Sequence, residues 1–377
     1  MKVIVNACLV TTDTVLKGSN IVFDDKIRAI GGQAACAPDD CTEVIDGTGC
    51  FVAPGFIDIH VHGFAGASAL DADSASIARM SALMPSTGVT SFLATTMSES
   101  MPRLTGVLAN IRAAMTQGGG AAVLGCHLEG PFINEQAKGA HEAQFMAQFS
   151  SDFLANHADV IRLVTVAPEL AGGTDFIKQC RQLGIQISVG HTAATFEQGM
   201  AAVEIGVSLF THVFNAMPPL HHRQPGALGA ALDSDAYCEL IADNVHVHPA
   251  MQRLLLRAKG VERIILITDS TMAGLPDGTY QLNGQTVTVQ DNAVRLPSGR
   301  LAGSALTLNV AVRNFMANTG LELPYALRTV TANPAQLLGL AHRKGRLAVS
   351  LDADLVILDG QLDVRRTFVR GECMYKE

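Results

Sequence analysis

The residues able to do chemistry in this chain recur at the ends of apolar runs. "FIDIHVHG" at 56 to 63 sets His60 and His62 two residues apart. In an extended strand, side chains two apart leave on one face, so both imidazoles can meet one ion. A pair of this kind also suits an ordinary core, and the other ionisable residues decide between the two readings. Glu129 ends "AAVLGCHLE", His191 lies in "IQISVGHT" and His212 in "VSLFTHVF". His246 follows "CELIADNV", and Asp269 lies in "RIILITDS". Carboxylate and imidazole donors together suit a borderline divalent ion such as zinc or iron, and three protein donors leave a position open for water. Glu129, His191 and His212 form such a set. An ion of this kind brings the pKa of water to about 7 and polarises a carbonyl oxygen, which leaves a proton carrier to be found. Asp269 offers that carboxylate, although alone it would read as a turn or helix-cap residue.

Donors scattered over more than 200 residues cooperate only if the fold gathers them. Eight apolar, β-prone runs occupy 56–60, 89–96, 121–129, 161–169, 185–192, 207–214, 238–245 and 263–270. Segments 73–86, 101–117, 172–183, 195–205 and 249–259 carry apolar residues at helical spacing, several closing on glycine (Gly88, Gly184, Gly206, Gly260). Alternation of this kind predicts an α/β fold, a (β/α)8 TIM-like barrel, in which all seven ionisable residues fall at or just past carboxyl ends of strands. Loops converge on that rim, whereas seven ionisable groups scattered through a barrel interior would each need a buried partner.

The two ends of the chain read differently. Residues 1–52 and 344–377 are short alternating strands broken by turn signals, which predicts a small discontinuous β-sandwich domain built from both termini. The barrel then spans 53–343, with a β-hairpin insertion at about 277–304 and helices at 305–319 and 323–332 after it.

Composition narrows the function classes. Among 377 residues, 16% are charged and 48% hydrophobic, with 35 Gly and no Trp, a globular profile suited to a helix-covered parallel sheet. A formal net charge of −8 argues against broad binding to nucleic acid or anionic membrane, which needs a basic footprint. The eight cysteines (8, 36, 41, 50, 126, 180, 238 and 373) contain no CxxC pair and read as thiols in a reducing compartment. The opening "MKVIVNACLVTTDTV" reads as a first strand, and no apolar run approaches the roughly 18 residues of a bilayer span. A cytoplasmic location is expected.

"PGFIDIHVHG", "HLEGPFI" with "KGAH", "SVGHT", "THVFNAM", "IADNVHVH", "ITDS" and "LAGSALT" together resemble the N-acetylglucosamine-6-phosphate deacetylases of the amidohydrolase superfamily, in family order from about 54 to 310. The resemblance implies removal of an acetyl group by metal-activated water, with Asp269 as general base and then acid. It implies Glu129, His191 and His212 as ligands of zinc or iron, Glu129 standing where many amidohydrolases use a lysine that "VTVAPE" lacks. His141 matches a histidine near the scissile amide, and Ala140, Leu301, Ala302 and Gly303 match the sugar pocket. Asn215, Ala216, Arg223 and His246 match the phosphate site, with the arginine and histidine able to come from the neighbouring copy of a homodimer. Relatives that keep HxH can seat a second ion, for which His60, His62 and Asp269 are the expected ligands. His248 departs from the aspartate usual in the family, and "PPLHHRQPG" at 218–226 is richer in histidine than the usual loop. Another amidohydrolase, such as a nucleobase deaminase or an aminoacylase, would reuse HxH and the later histidines but not "HLEGPF" or "FNAM". A metal-free, non-catalytic scaffold would have lost ligands that are all present here.

Overall fold

Runs of Val, Ile, Leu and Phe form eight parallel strands in the computed structural model, which describes residues 1–32, 42–71 and 73–377. Cys36 and Cys41 lie outside the described residues. The strands are Phe56–Val61, Val89–Thr96, Ala122–Glu129, Ile161–Val166, Gln186–Val189, Leu209–Phe210, Tyr237–Ile241 and Ile264–Ile267, hydrogen-bonded in chain order. The eighth returns to the first at the rim, where the Asp269 N–H donates to His60 O and the His62 N–H to Ser270 O, both at 2.9 Å. That closure sets Asp269 against the HxH pair.

Helices cover the outside of this sheet, as the periodicity predicts. Gly173–Gln182 turns Phe176, Ile177 and Cys180 inward, and Phe196–Ile205 begins at a capping box made by Thr195 and Gln198. Strands buried on both faces need apolar residues throughout. Phe56, Phe92 and Phe210 are wholly buried, each contributing about 1.5–3 kcal/mol over an exposed ring.

Strands six to eight are shorter than the apolar runs suggest. Extended backbone stops at Phe210, Ile241 and Ile267, and φ turns positive at His191 (47°), His212 (26°) and Asp269 (48°). Left-handed backbone at a residue with a Cβ costs about 1–3 kcal/mol and persists only where surrounding structure imposes it. Here it bends three ionisable side chains off the strand direction.

The β unit expected from both termini is present, and hydrogen bonding makes it one sheet of eight strands. Phe51–Pro54 pairs antiparallel with Leu355–Leu358 and so joins the two ends of the chain. Ile4, Leu9, Ile21, Phe23, Val52, Leu355 and Phe368 form its own core. Where the chain enters that sheet, Asp352 is paired with Lys26, with Arg343 at 3.0 Å and with Lys344 at 3.7 Å. Asp354 pairs with Lys344 and accepts the Arg370 N–H at 2.8 Å.

Past the eighth barrel strand, Gly278–Leu282, Gln285–Gln290, Ala293–Arg295 and Leu301–Ser304 form an antiparallel sheet over the rim. It is fastened from two sides, by the Ser304 N–H to Asp269 O at 2.8 Å and by Arg300 to Gly139 O at 2.9 Å. Among the described residues, no helix is long and apolar enough to cross a membrane.

Candidate active site

Strand ends bring the ionisable residues within a few ångströms of one another. Glu129 Oε1 lies 3.2 Å from His191 Nε2 and 3.1 Å from His212 Nε2, and those two nitrogens are 3.0 Å apart. Beside this triangle, His62 Nε2 stands 3.3 Å from Glu129 Oε2, 3.2 Å from Asp269 Oδ1 and 3.2 Å from His60 Nε2. Glu129 faces both groups. All six side chains are buried or nearly so.

The outer ring nitrogens determine what the inner ones can do. His62 Nδ1 lies 3.2 Å from Thr95 O and His191 Nδ1 2.9 Å from Ala137 O, and a carbonyl only accepts, so both Nδ1 atoms carry the hydrogen. His60 Nδ1 donates in the same way to Glu239 Oε2 at 3.0 Å. Their Nε2 lone pairs therefore point inward, at each other and at carboxylate oxygens. His141 is turned the other way: its Nδ1 accepts the Ser98 N–H at 3.0 Å, which places its hydrogen on Nε2, 3.3 Å from Glu129 Oε2. His141 is thus a donor at the site, although its position beside Glu129 and His191 would otherwise suit a ligand.

Acceptors that face acceptors need a cation between them. Donor atoms about 2.0–2.1 Å from a tetrahedral ion stand roughly 3.3 Å apart, and the triangle of Glu129, His191 and His212 has edges of 3.2, 3.1 and 3.0 Å. The residues fit a divalent ion of the zinc and iron class. Protonation gives the same message. Burial alone would lower the imidazoles, yet Asp269 and Glu129 hold His62 up at about 9, and Glu129, Glu239 and Asp269 hold His60 well above its usual value. Burial alone would raise the carboxyls, yet nearby histidines hold Glu129 and Asp269 below the carboxylate range. His141, pushed down to about 4 by burial, stays neutral at physiological pH.

These groups line a cavity of about 340 Å³ with Ala140, Asn215, Ala216, His246, Leu301, Ala302 and Gly303, all expected from the sequence. Gly303 has φ of 67°, and a Cβ there would stand 2.8 Å from Asp269 O, so "LAGS" admits no larger residue at that point. His246 Nδ1 is held by Asp243 Oδ2 at 2.6 Å. Arg223 is not brought to this cavity: it is exposed on the loop after Leu220, and its backbone N–H donates to His221 Nδ1. His60 lies behind His62, out of the lining.

Other neighbours of the site escaped the sequence reading. Arg295 and Arg300 of the hairpin sheet line the cavity, and only their charge in "NAVRLPSGRLAGS" hinted at it. Asp58, His127 and Glu239 form a polar layer one step deeper in the barrel, wholly buried. Asp58 accepts from Thr268 Oγ1 at 2.6 Å, and burial pushes it up to about 7. His127 uses both nitrogens, toward Ile59 O at 3.2 Å and Thr165 Oγ1 at 2.8 Å, which leaves it no lone pair to share with His60 and Glu239 beside it. The signal was spacing: Asp58 precedes His60 by two residues and His127 precedes Glu129 by two, the strand period.

Comparison with known proteins agrees with this geometry. The amidohydrolase family matches residues 51–374. The N-acetylglucosamine-6-phosphate deacetylase of Bacillus subtilis (strain 168) is 36% identical over 97% of this chain and 95% of its own length. The N-acetylgalactosamine-6-phosphate deacetylase of Escherichia coli O157:H7 is 36% identical over 93% and 94%. The crystal structure of the N-acetylglucosamine-6-phosphate deacetylase of Pasteurella multocida superposes with a TM-score of 0.94 at 32% identity, covering 99% of both chains. The barrel, its buried donors and these likenesses agree: the chain belongs to the amidohydrolase family, in its N-acetylglucosamine-6-phosphate deacetylase branch.

Proposed function

We propose that this chain hydrolyses the acetamide of N-acetylglucosamine 6-phosphate to glucosamine 6-phosphate and acetate. The observation that carries the reading is the single cavity wall on which inward lone pairs, an ionised Asp269 and the neutral donor His141 stand together. Glu129, His191 and His212 would hold one divalent ion, zinc or iron, and His60, His62 and Asp269 would hold a second. Such ions acidify water and polarise a carbonyl. Asp269 Oδ2, the carboxylate oxygen not turned toward His60 and His62, accepts the proton of the attacking water as the water oxygen bonds to the acetyl carbon. The same proton then goes to the amine nitrogen as the C–N bond breaks, so one carboxylate serves both halves of the reaction. His141 Nε2–H donates to the acetyl oxygen as negative charge develops on it.

The sugar lies against Ala140, Leu301, Ala302 and Gly303, and its phosphate meets Asn215, Ala216 and His246. Arg223 belongs to the same phosphate site in a homodimer; its exposure, away from its own cavity, favours service to the cavity of a second copy. A guanidinium fork suits phosphate oxygens. The enzyme works in the cytoplasm, where phosphorylated sugars are retained by their charge.

Turnover of N-acetylglucosamine 6-phosphate, its unphosphorylated form and the galactosamine epimer, in wild type and Arg223→Ala, tests this reading. Loss of a charged hydrogen bond is worth about 1.5–3 kcal/mol, so Arg223→Ala should lower kcat/KM for the phosphorylated sugar by about 10–100-fold and leave the unphosphorylated sugar unaffected. Equal turnover with and without phosphate would overturn the phosphate site, and faster turnover of the galactosamine epimer would transfer the assignment to that sugar.

A further inference from the structure

We infer that Glu239 is a positioning residue that commits His60 as a metal ligand and so controls occupancy of the second ion position. This rests on the two-ion reading above and adds a residue to it. Glu239 lies within the seventh strand, wholly buried, one layer below the donors. Its Oε2 accepts from His60 Nδ1 at 3.0 Å and from the backbone N–H of His212 at 3.1 Å. One oxygen thus grips a ligand ring of the HxH pair and the main chain of a ligand in the other set, at the residue whose φ is 26°. Because an ionised carboxylate only accepts, the His60 hydrogen is confined to Nδ1 and the Nε2 lone pair is directed at His62 and Asp269.

The anchors of the other rings are weaker. His62 and His191 lean on the neutral carbonyls of Thr95 and Ala137, and His212 Nδ1 has no hydrogen-bond partner among the described residues. Of these four rings, His60 alone is backed by a carboxylate, which makes it the most electron-rich donor among them. Glu239 Oε1 is buried and has no hydrogen-bond partner among the described residues. An apolar residue of similar size would fill that space without a desolvation penalty, so the group is out of place as packing. Charge points the same way. Glu129, Asp269 and Glu239 bring three negative charges to four imidazoles that act as neutral ligands. With one divalent ion the set is left at −1, and with two at +1, a charge that would suit the binding of hydroxide.

The experiment is a zinc titration of metal-depleted full-length protein, read as bound zinc per folded chain. Wild type is compared with Glu239→Gln, Glu239→Leu, Glu239→Asp and the double variant His60→Gln/His62→Asn. Wild type should take two ions and the double variant one. Glu239→Gln keeps an acceptor but removes the charge and should weaken the second ion about tenfold. Glu239→Leu removes both and should weaken it by about 10–100-fold. In both, affinity for the first ion should stay within a few-fold, and Glu239→Asp should recover part of the loss. The 15N shifts of His60 in zinc-loaded protein should report a ring that keeps its hydrogen on Nδ1 and is metallated at Nε2 in wild type, and that pattern should fade in Glu239→Leu, a signature that general loosening of the fold would not give. Saturation of wild type at one ion overturns the two-ion reading and this inference with it. Two unweakened ions in Glu239→Gln and Glu239→Leu overturn the role of Glu239 alone, as does equal weakening of both ions.

Discussion

Around Asp352 and Asp354, buried carboxylates meet lysine and arginine; around Glu129 and Asp269, buried carboxylates meet imidazoles whose lone pairs point back at them. In both groups the carboxylates are buried, yet only the first group is electrically complete. Asp352 has three cations of the chain itself for company, and Asp354 has Lys344 and a backbone N–H. The rim has carboxylates and rings that, among the described residues, have no lysine or arginine as ion-pair partner. A complete group holds a fold together, whereas an incomplete one is a receptor. Burial alone therefore says little about what a charged cluster is for; the inventory of hydrogens and lone pairs does.

The difference breaks most visibly when divalent ions are taken away. Chelation of the purified protein should abolish turnover, to be restored by zinc or ferrous iron, while far-ultraviolet circular dichroism stays unchanged because the junction supplies its own cations. Full turnover in a chain shown to be metal-free would end the receptor reading. A sharper cut is Asp269→Asn, which preserves shape and tolerates the left-handed backbone but cannot take a proton. Its kcat should fall by about 10²–10⁴-fold with the melting temperature preserved, and a loss below tenfold would give the proton transfer to another group.

At the junction the expected effect is on stability. Lys344→Met leaves Asp354 without its ion-pair partner in a buried setting and should lower the unfolding free energy by about 3–5 kcal/mol in urea, with kcat per folded molecule unchanged. Its pH dependence has a definite sign. Burial alone would raise the Asp352 carboxyl, but Lys26, Lys344 and Arg343 hold it below its usual value. A depressed carboxyl contributes stability that is present above the unfolded pKa, about 3.9, and is lost as pH falls through the lower folded value. The gap between wild type and Lys344→Met should therefore narrow below about pH 4. A gap independent of pH would mean that Lys344 acts through packing of its stem.

Much of this contrast is legible in the amino-acid sequence. The barrel showed itself because parallel strands covered on both faces are long apolar runs, and Glu129, His191, His212 and Asp269 stood out as polar residues ending them. Three kinds of feature were hidden. The ring orientation of His141 depends on the N–H of Ser98, 43 residues away in the chain and invisible to motif spacing. Strand ends at His212 and Asp269 were read too long because a left-handed turn leaves no apolar gap in the sequence. Arg295 and Arg300 reach the cavity only because the hairpin sheet is fastened down on the rim, a tertiary contact that local pattern does not encode.

Left-handed backbone at His191, His212 and Asp269 also governs which descendants of such a chain persist once activity is no longer selected. Each position stores about 1 kcal/mol or more of steric conflict that glycine relieves. A lineage released from catalysis is therefore drawn toward replacement at the very residues that define the site, and gains thermal margin as it goes. Return to activity must then reverse a stabilising change, so in this fold inactivity works as a ratchet in molecular descent.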